Sequence, residues 1–322
     1  MVDLKKEIVT TKNLLGFSAG IDSTALFFLM LESDVEFDIA IVDYNQRAQS
    51  KDEVIYATQL AHKYDKKCFI STYPAENKFA EKEARDFRHA FFDEIIKKEN
   101  YETLLTAHQL NDKLEWFLMQ FTKGSGLSEL LGMEETSFKN GYKVQKPLLK
   151  YTKQKLQEYL DTNNIKYFYD ETNGDEKYKR NYFRHNFSEK LLQEFESGIS
   201  NSFEYLHNDI SSLFSHTNID KYENLTIYTF NGDDNIAIRI IDKDLKQRGI
   251  MISKATRDEI IMHKEVVVSH KIAISICENK IYIAPYLTKK MDKRFKEKCR
   301  IRKIPKNIRA YLSTVEEKLI KN

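Results

Sequence analysis

The sequence predicts an α/β protein that begins with a doubly wound parallel sheet and ends in a smaller α+β domain. Two observations carry this prediction: short apolar runs alternate with longer helical patterns up to residue 121, and short strand patterns return after Asn218. Such alternation is typical of parallel βαβ units with helices on both faces of the sheet. We expect a catalytic domain at 1–190, a helical linker at 191–217 and a C-terminal domain at 218–322.

Each element of the first half follows from its apolar pattern. The predicted strands are Asn13–Phe17, Phe37–Val42, Cys68–Ser71 and Thr103–Thr106, and the predicted helices are Asp22–Leu31, Asp52–Tyr64, Phe79–Lys98 and Asp112–Phe121. In sheets of this kind ligands bind beyond the carboxyl ends of the strands. We therefore look for chemistry at those ends.

The second half has a different pattern. Lys153–Leu160 predicts a helix, Asp170–Arg184 reads as polar and turn-rich, and Phe187–Phe214 predicts a long helix with a break near Gly198. Beyond it, strands are predicted at Leu225–Phe230, Val266–Val268, Ala273–Cys277 and Lys280–Ala284, with Glu278-Asn279 as a hairpin turn.

Composition excludes several classes of protein. The 322 residues suggest about two domains, and 51 Lys and Arg against 49 Asp and Glu leave a net charge of only +2. The three cysteines, Cys68, Cys277 and Cys299, lie far apart, which argues against a disulfide framework, a zinc knuckle and a clustered iron–sulfur site. Without a long apolar run or an export signal, we expect no membrane association and a cytoplasmic location.

A phosphate-binding loop is predicted between the first strand and the first helix. The residues there are Ser18, Ala19, Gly20, Ile21, Asp22 and Ser23. Free amides and the dipole at a helix start favour an anion, and small residues let it approach. Gly-Lys and G-x-G-x-x-G are both absent, so neither a Walker A loop nor a dinucleotide fingerprint is present. The alternative is that Asp22 or Ser23 only caps the helix.

The loop resembles the PP-loop, S-G-G-x-D-S, of the ATP-pyrophosphatase family, with Ala19 in place of the middle glycine. The resemblance implies an adenine-nucleotide α-hydrolase-like fold that uses ATP. It also implies that the backbone from Gly20 to Ser23 holds pyrophosphate, that the hydroxyls of Ser18 and Ser23 assist, and that Asp22 holds Mg²⁺. If position 19 requires a positive φ, alanine would strain the loop by roughly 1 kcal/mol.

Further motifs narrow the resemblance. The segment 42–47 is similar to V-N-H-G-L-R, and 83–88 contains A-R-x-x-R, with Arg85 and Arg88 on one helix face. The segment 106–115 is similar to A-H-H-x-x-D-x-x-E-T, with Gln109 replacing the second histidine. The residues matched there are His108, Asp112 and Glu115, and the two carboxylates share one face of a helix start. Read alone, these residues could equally be a solvated face, a structural histidine and a helix cap.

The most discriminating signal is a series of three segments. Lys146-Pro147-Leu148-Leu149 is similar to R-P-L-L, residues 169–175 are similar to E-D-x-T-N-x-D, and Arg180-Asn181-x-x-Arg184 is similar to R-N-x-x-R. Together the motifs resemble the tRNA(Ile)-lysidine synthetase family over about residues 12–190. The resemblance implies an ATP- and Mg²⁺-dependent ligase that joins free L-lysine to C2 of the wobble cytidine, position 34, in tRNA(Ile) with a CAU anticodon. It implies catalytic roles for Asp22, Asp112 and Glu115, and substrate or tRNA contacts for Arg85, Arg88, His108, Arg180, Asn181 and Arg184.

A basic segment lies far downstream of these motifs. Leu287–Arg309 holds eleven Lys and Arg against Asp292 and Glu297, a local excess of nine. We expect contact with the tRNA stem, and the alternative is a solvated basic face.

Other functions remain open from sequence alone. One is a sulfur-inserting tRNA cytidine-modifying enzyme of the PP-loop type, although closely spaced cysteines for a cluster are lacking. Another is an inactive nucleotide- or RNA-binding relative. The sequence does not fix how many chains assemble, and a homodimer is one assembly that it allows.

Overall fold

The computed structural model describes residues 4–6, 8, 12–45, 49–74, 81–169, 179–215 and 217–315. Two compact units are present, Met1–Tyr205 and Leu206–Asn322, and the division falls inside the segment 191–217. Residues 46–48 and 170–178 lie outside the described residues. They include Arg47 and the predicted E-D-x-T-N-x-D match.

The first unit is built on a six-stranded sheet in the order β3-β2-β1-β4-β6-β5. All neighbouring strands are parallel except β5, which pairs antiparallel with β6. The strands are β1 Asn13–Phe17, β2 Phe37–Asp43, β3 Cys68–Thr72, β4 Thr103–Thr106, β5 Thr136–Lys139 and β6 Tyr142–Gln145. The predicted doubly wound, mostly parallel sheet is therefore confirmed.

Helices accompany these strands. They are α1 Ile21–Glu32, α2 Gln49–Lys63, α3 Glu81–Glu99, α4 Leu110–Phe121, α5 Leu127–Leu130, α6 Lys153–Thr162, α7 Lys179–Phe183 and α8 Glu189–Phe214. Phe27 of α1 lies at the centre of an aromatic cluster with Phe17, Phe37 and Tyr64, at ring-centroid distances of 5.8, 5.0 and 5.8 Å. Because aromatic side chains bury large areas, this cluster fixes the start of the chain's first βαβ unit.

The hairpin of β5 and β6 was not predicted. Its turn is Asn140-Gly141, with φ of 49° and 91°. An Asn-Gly pair is the strongest short-range signal for a two-residue hairpin, because both central residues need positive φ. The signal was present in the sequence, in T-S-F-K-N-G-Y-K-V-Q.

Two details of the helical segment differ from the sequence reading. Residues 179–184 are helical rather than turn-rich: α7 runs into a π-helical turn at Arg184–Ser188, and α8 follows directly. The interruption of α8 lies at Phe195, with φ −128° and ψ 25°, and not at Gly198. Glycine at 198 is therefore accommodated inside the helix, and no signal in the sequence distinguishes Phe195.

The second unit contains a five-stranded antiparallel sheet in the order β7-β8-β11-β10-β9. The strands are β7 Asn218–Tyr222, β8 Leu225–Thr229, β9 Glu265–Val268, β10 Ile272–Cys277 and β11 Lys280–Pro285, and the helices are α9 Asp234–Gln247, α10 Lys254–His263, α11 Lys293–Ile301 and α12 Lys306–Val315. Two apolar clusters accompany this sheet. The four predicted strands and the turn at Glu278-Asn279 are present, whereas β7, largely exposed, was not predicted.

None of the helices in the described part of the chain is both long and apolar enough to cross a membrane.

Candidate active site

The predicted phosphate loop lies between β1 and α1. The Ser23 hydroxyl accepts a hydrogen bond from the Ser18 amide at 3.2 Å and lies 3.1 Å from the Ser18 hydroxyl. It also donates to the Gly20 carbonyl at 3.3 Å, which closes the loop on itself. Gly20 is the N-cap of α1, and no side chain caps this helix. Amides at an uncapped helix start are available to an anion.

Ala19 adopts the left-handed conformation, with φ of 59°. This is the conformation that favours glycine, so the departure from the S-G-G-x-D-S pattern does place an L-residue in a strained position. The Ala19 side chain is fully buried in the apolar core of the unit. Its carbonyl accepts a hydrogen bond from the Phe168 amide at 2.9 Å, which pins the loop to the segment after α6.

Asp22 lies in the first turn of α1, half-buried. Its Oδ1 is buried and has no hydrogen-bond partner among the described residues. Burial, and then the negative charge of Asp112, raise the pKa of Asp22 to about 7, while the Lys153 ammonium opposes that rise. A buried carboxylate oxygen without a donor is a position for a cation or for a hydrogen-bond donor of a ligand.

The donor chemistry at Asp22 fits Mg²⁺. Among the described residues, no group of three or more His, Cys, Asp or Glu is arranged to hold a metal. Mg²⁺ does not need such a cage, because it is commonly bound by one or two carboxylates together with substrate phosphates and water.

The second part of the site lies at the start of α4. Gln109, which replaces the second histidine of the A-H-H motif, is the N-cap of this helix, and its side chain accepts a hydrogen bond from the Asn111 amide. In return, Asp112 Oδ2 accepts from the Gln109 amide at 3.1 Å, completing a capping box. Asp112 therefore caps the helix with Oδ2, while its Oδ1 accepts a hydrogen bond from Arg180.

Asp112 and Glu115 form an ion-pair cluster with Arg180 and Arg184. Arg180 donates to Asp112 and, from Nε, to Glu115 Oε2 at 2.8 Å. Arg184 donates from Nε to Glu115 Oε1 at 2.8 Å and from Nη2 to Oε2 at 3.3 Å. The side chain of Glu115 is 1% exposed, that of Arg184 14% and that of Arg180 40%. Arg180 is therefore the member of the cluster that solvent reaches most readily.

Burial and ion pairing have opposite effects on the pKa values of Asp112, Arg180 and Arg184. Burial is the largest single influence and acts to raise the pKa of Asp112, but the Arg180 guanidinium, His108, the Gln109 amide and Arg184 together outweigh it, and the pKa of Asp112 is lowered. Burial likewise acts to lower the pKa of Arg180 and Arg184, and the two carboxylates raise it in both cases. Asp112, Arg180 and Arg184 are accordingly charged.

His108 lies between the end of β4 and the capping residue Gln109. It is half-buried, and its Nδ1 is 3.0 Å from the Thr106 hydroxyl. Burial lowers the pKa of His108 to about 4, with Lys146, Arg180 and Arg88 acting in the same direction against Asp112. The imidazole is neutral at pH 7 and can exchange hydrogen bonds without carrying charge.

The two predicted arginines of α3 differ in environment. Arg85 is exposed and Arg88 is half-buried. Arg88 hydrogen-bonds the Tyr44 hydroxyl, and burial raises the pKa of that phenol. Tyr44 follows β2 at the position of the motif histidine, and its ring lies 6.2 Å from the Tyr73 ring. Asn181, the remaining predicted contact residue, is buried in α7.

Three residues of the site were missed by sequence reasoning. Gln109 carried a signal, because a polar side chain directly before a helix is a cap candidate. Tyr44 lay within the motif-like segment 42–47 but replaces its histidine, and Lys153 carried no signal, since it is one of many basic residues in the sequence. Asn45 also explains a departure from the motif glycine: its φ is 50°, a conformation that asparagine tolerates better than most residues.

In the second unit, the basic segment forms α11 and the residues around it. Lys293, Arg294, Lys296 and Lys298 are exposed, while Phe295 and Cys299 pack against the apolar cluster below. Arg300 pairs with Glu297 at 2.6 Å, and Lys303 pairs with Glu278 at 2.7 Å. The four exposed cations therefore make the stronger candidates for contact with a polyanion.

Comparison with known proteins adds three findings. A family model described as a PP-loop domain matches residues 2–191. The chain is 40% identical to the tRNA(Ile)-lysidine synthase of Campylobacter jejuni (strain RM1221), over 97% of this chain and 96% of that protein. It is 42% identical to the tRNA(Ile)-lysidine synthase of Wolinella succinogenes, over 93% of this chain and 92% of that protein.

One solved structure has a similar fold. The U34-tRNA thiolase of Methanococcus maripaludis matches with a TM-score of 0.50 and 15% identity, covering 62% of this chain and 72% of that one. At this identity the likeness concerns the fold alone.

Proposed function

The chain belongs to the tRNA(Ile)-lysidine synthase family of PP-loop enzymes, and we propose that it joins free L-lysine to C2 of the wobble cytidine of tRNA(Ile) with a CAU anticodon. In this reaction ATP adenylates the C2 oxygen of the base and releases pyrophosphate. The ε-amine of lysine then attacks C2 and displaces AMP. The observation that supports the proposal best is the buried, unpartnered oxygen of Asp22 beside the uncapped start of α1.

The phosphate loop serves the first step. Negative charge moves to the leaving pyrophosphate as the bond to the α-phosphorus breaks, and fixed amides at the helix start stabilise it without reorganising. Mg²⁺ held at Asp22 would supply positive charge to the same oxygens. The hydroxyls of Ser18 and Ser23 already point at each other, 3.1 Å apart, and line the loop.

The ion-pair cluster serves the second step. Asp112 and Glu115 can accept hydrogen bonds from the ammonium groups of lysine, and Arg180 can accompany the carboxylate of lysine or a phosphate of tRNA. Because the carboxylates are paired with arginines in the ligand-free protein, a cationic substrate enters by exchange of partners rather than into an empty anionic pocket. Such an exchange costs less than burying an isolated charge.

The remaining basic residues are assigned to tRNA binding. We propose that Arg85 and Arg88 line the entry for the anticodon loop, because unpaired bases are bound by splaying and by contacts to a basic rim. The exposed cations of α11 would contact the tRNA stem, and the enzyme would act in the cytoplasm.

The decisive experiment incubates the purified full chain with ATP, Mg²⁺, L-lysine and a tRNA(Ile) transcript with a CAU anticodon. AMP and pyrophosphate should form only when lysine and tRNA are both present, and nuclease digestion followed by mass spectrometry should show lysidine at position 34. A transcript with guanosine at position 34 is the matched control. ATP turnover without lysine incorporation would contradict the proposal, and sulfur transfer to the tRNA when sulfide replaces lysine in the mixture would favour the sulfur-inserting alternative.

A further inference from the structure

Lys153, which no motif singles out, is the first residue of α6. Its side chain is half-buried, and among the described residues its ammonium group has no hydrogen-bond or ion-pair partner. An ammonium group without a partner in the protein can pair with a bound anion without first breaking another ion pair. This makes Lys153 a candidate to bind an anion that is absent from the protein alone.

The start of α6 is fixed beside the candidate active site by backbone contacts. The Lys153 amide donates to Asn111 Oδ1 at 3.0 Å, and the Leu110 amide donates to the Tyr151 carbonyl at 2.9 Å. Asn111 and Leu110 are the first two residues of α4, directly before Asp112. The first turn of α6 is therefore held against the first turn of α4.

The same helix packs along α1. Leu29 of α1 and Leu156 of α6 line one cavity of about 380 Å³, and the Tyr159 hydroxyl donates to Glu32 at the end of α1. With Tyr159 beside the end of α1, Lys153, almost two turns earlier in α6, lies toward its beginning, where Asp22 is found. The positive charge of Lys153 acts on Asp22 and opposes the rise in the pKa of that carboxyl.

The basic side chains near the site differ in whether they already bond to a protein oxygen. Arg180 and Arg184 are committed to Asp112 and Glu115 by short hydrogen bonds. Lys146 donates to the Glu134 carbonyl at 3.0 Å. Among these four basic side chains, Lys153 is the one near the phosphate loop whose ammonium is not already bonded to a protein oxygen.

We propose that the Lys153 ammonium binds the phosphate groups of ATP, from the side facing the amides of the phosphate loop. This inference rests on the proposed function and deepens it by naming the protein cation that accompanies the leaving pyrophosphate. The amides at the start of α1 neutralise the phosphates only in part, since a helix start is equivalent to about half a charge. A lysine acting as a point charge adds one full positive charge, as in other phosphate sites.

The test measures ligand binding to the full chain by isothermal titration with ATP, inorganic pyrophosphate and adenosine. Lys153→Met removes the charge and keeps the length of the side chain. We expect it to weaken ATP and pyrophosphate about tenfold to a hundredfold, since a hydrogen bond to a charged group is lost, and to leave adenosine unchanged. Lys153→Arg keeps the charge and should recover much of the affinity.

Lys155→Met is the matched control. Lys155 lies two residues further along α6, is exposed, and pairs with Glu196 at 2.7 Å. This variant loses a lysine from the same helix and should bind all three ligands as the original protein does. If Lys153→Met does not fold, Lys153→Gln takes its place in the same measurement.

Three results would overturn the proposal: unchanged pyrophosphate affinity in Lys153→Met, an equal loss of adenosine affinity, or a lowered melting temperature with normal ATP affinity. The last would show that Lys153 only supports Asp22. These results are independent of the proposed function, because lysidine formation by the original protein is measured separately from phosphate binding by the variants.

Discussion

Arg184 donates from Nε to Glu115 at 2.8 Å, and the carboxylate that receives this bond is 1% exposed. Burial removes this carboxylate from water, and its hydrogen bonds to the Arg180 and Arg184 guanidiniums compensate for that loss. Glu115 thus has two tasks in one place: it holds the start of α4 to α7 and the π-helical turn, and it carries negative charge at the candidate active site.

Glu115→Gln should therefore lower both stability and activity. The amide is similar in shape but removes the charge that Arg184 contacts at 2.8 Å and leaves it the Asp112 carboxylate at 4.0 Å, and breaking a buried pair typically costs about 3 kcal/mol or more. Urea denaturation followed by circular dichroism measures the loss. Glu158→Gln, an exposed change on α6, is the control and should stay within about 0.5 kcal/mol of the original protein. Equal stability of the two variants would contradict the assignment of a structural task to Glu115.

Asp112→Asn should separate the role of Asp112 as a helix cap from its proposed role in the reaction. The amide side chain can still accept the Gln109 hydrogen bond, so loss of the cap is limited to about 1 kcal/mol. The charge that faces Arg180 is lost, and turnover in the lysine- and tRNA-dependent assay should fall far more than stability. A large fall in melting temperature with normal specific activity of the folded fraction would show that Asp112 is only a cap.

Asp22→Asn should abolish AMP formation without lowering stability. Burial holds the pKa of Asp22 at about 7, so the ionised form is disfavoured in the ligand-free protein, and its Oδ1 has no hydrogen bond to lose among the described residues. The melting temperature should be unchanged or higher, and tRNA binding measured by filter retention should be nearly intact. Comparable AMP formation in both proteins would exclude Asp22 from the reaction.

Ala19→Gly should be almost neutral. Removing the side chain relieves a left-handed conformation worth about 1 to 2 kcal/mol, but it also loses a buried methyl group worth about 0.8 kcal/mol and makes the unfolded chain more flexible. Ala19→Val adds bulk and β-branching at the same positive φ and should destabilise strongly. The midpoints of urea unfolding test both, and a loss above about 2 kcal/mol in Ala19→Gly would contradict this balance.

Acidification should destabilise the protein in part through His89. Burial, with the positive charges of Lys139, Arg88 and Arg85, lowers the pKa of His89 from about 6.5 to about 4. Between these values the unfolded chain binds a proton that the folded chain does not, so stability falls as the pH falls from 7 to 5. His89→Gln should reduce the fall in urea midpoint over this range. Identical pH dependence in both proteins would exclude this contribution.

Neutralising Lys293, Arg294, Lys296 and Lys298 should weaken tRNA binding and its dependence on salt. Each phosphate contact contributes about 0.7 to 0.9 to the slope of log affinity against log salt, so the slope should flatten by roughly three. The rate at saturating tRNA should change much less. A variant in which the exposed Lys97 and Lys98 of α3 are neutralised is the control. An unchanged slope in the α11 variant would make that helix a solvated surface.

The sequence predicted the parallel sheet well because each of its first four strands is a short apolar run beside a helical pattern. It predicted the phosphate loop because that loop is local, with every residue within six positions. The sequence did not predict the pairing within the ion-pair cluster. Glu115 and Arg184 are 69 residues apart, and no local pattern indicates which arginine pairs with which carboxylate. Lys153 shows the same limit, since its importance depends on what surrounds it and not on its neighbours in the chain.

The π-helical turn at Arg184–Ser188 holds one more residue per turn than an α-helix. It therefore shifts by about 100° the face on which Leu192 of α8 lies, compared with a regular α-helix continued from Arg180 and Arg184. Deleting one residue so that this turn becomes a regular α-helical turn would keep the two faces nearly in phase, whereas the same deletion outside the π-helical turn would rotate them apart by about 100°. For this chain, the π-helical turn is therefore the place between Arg184 and Leu192 where the number of residues can change with the least change in helix phase.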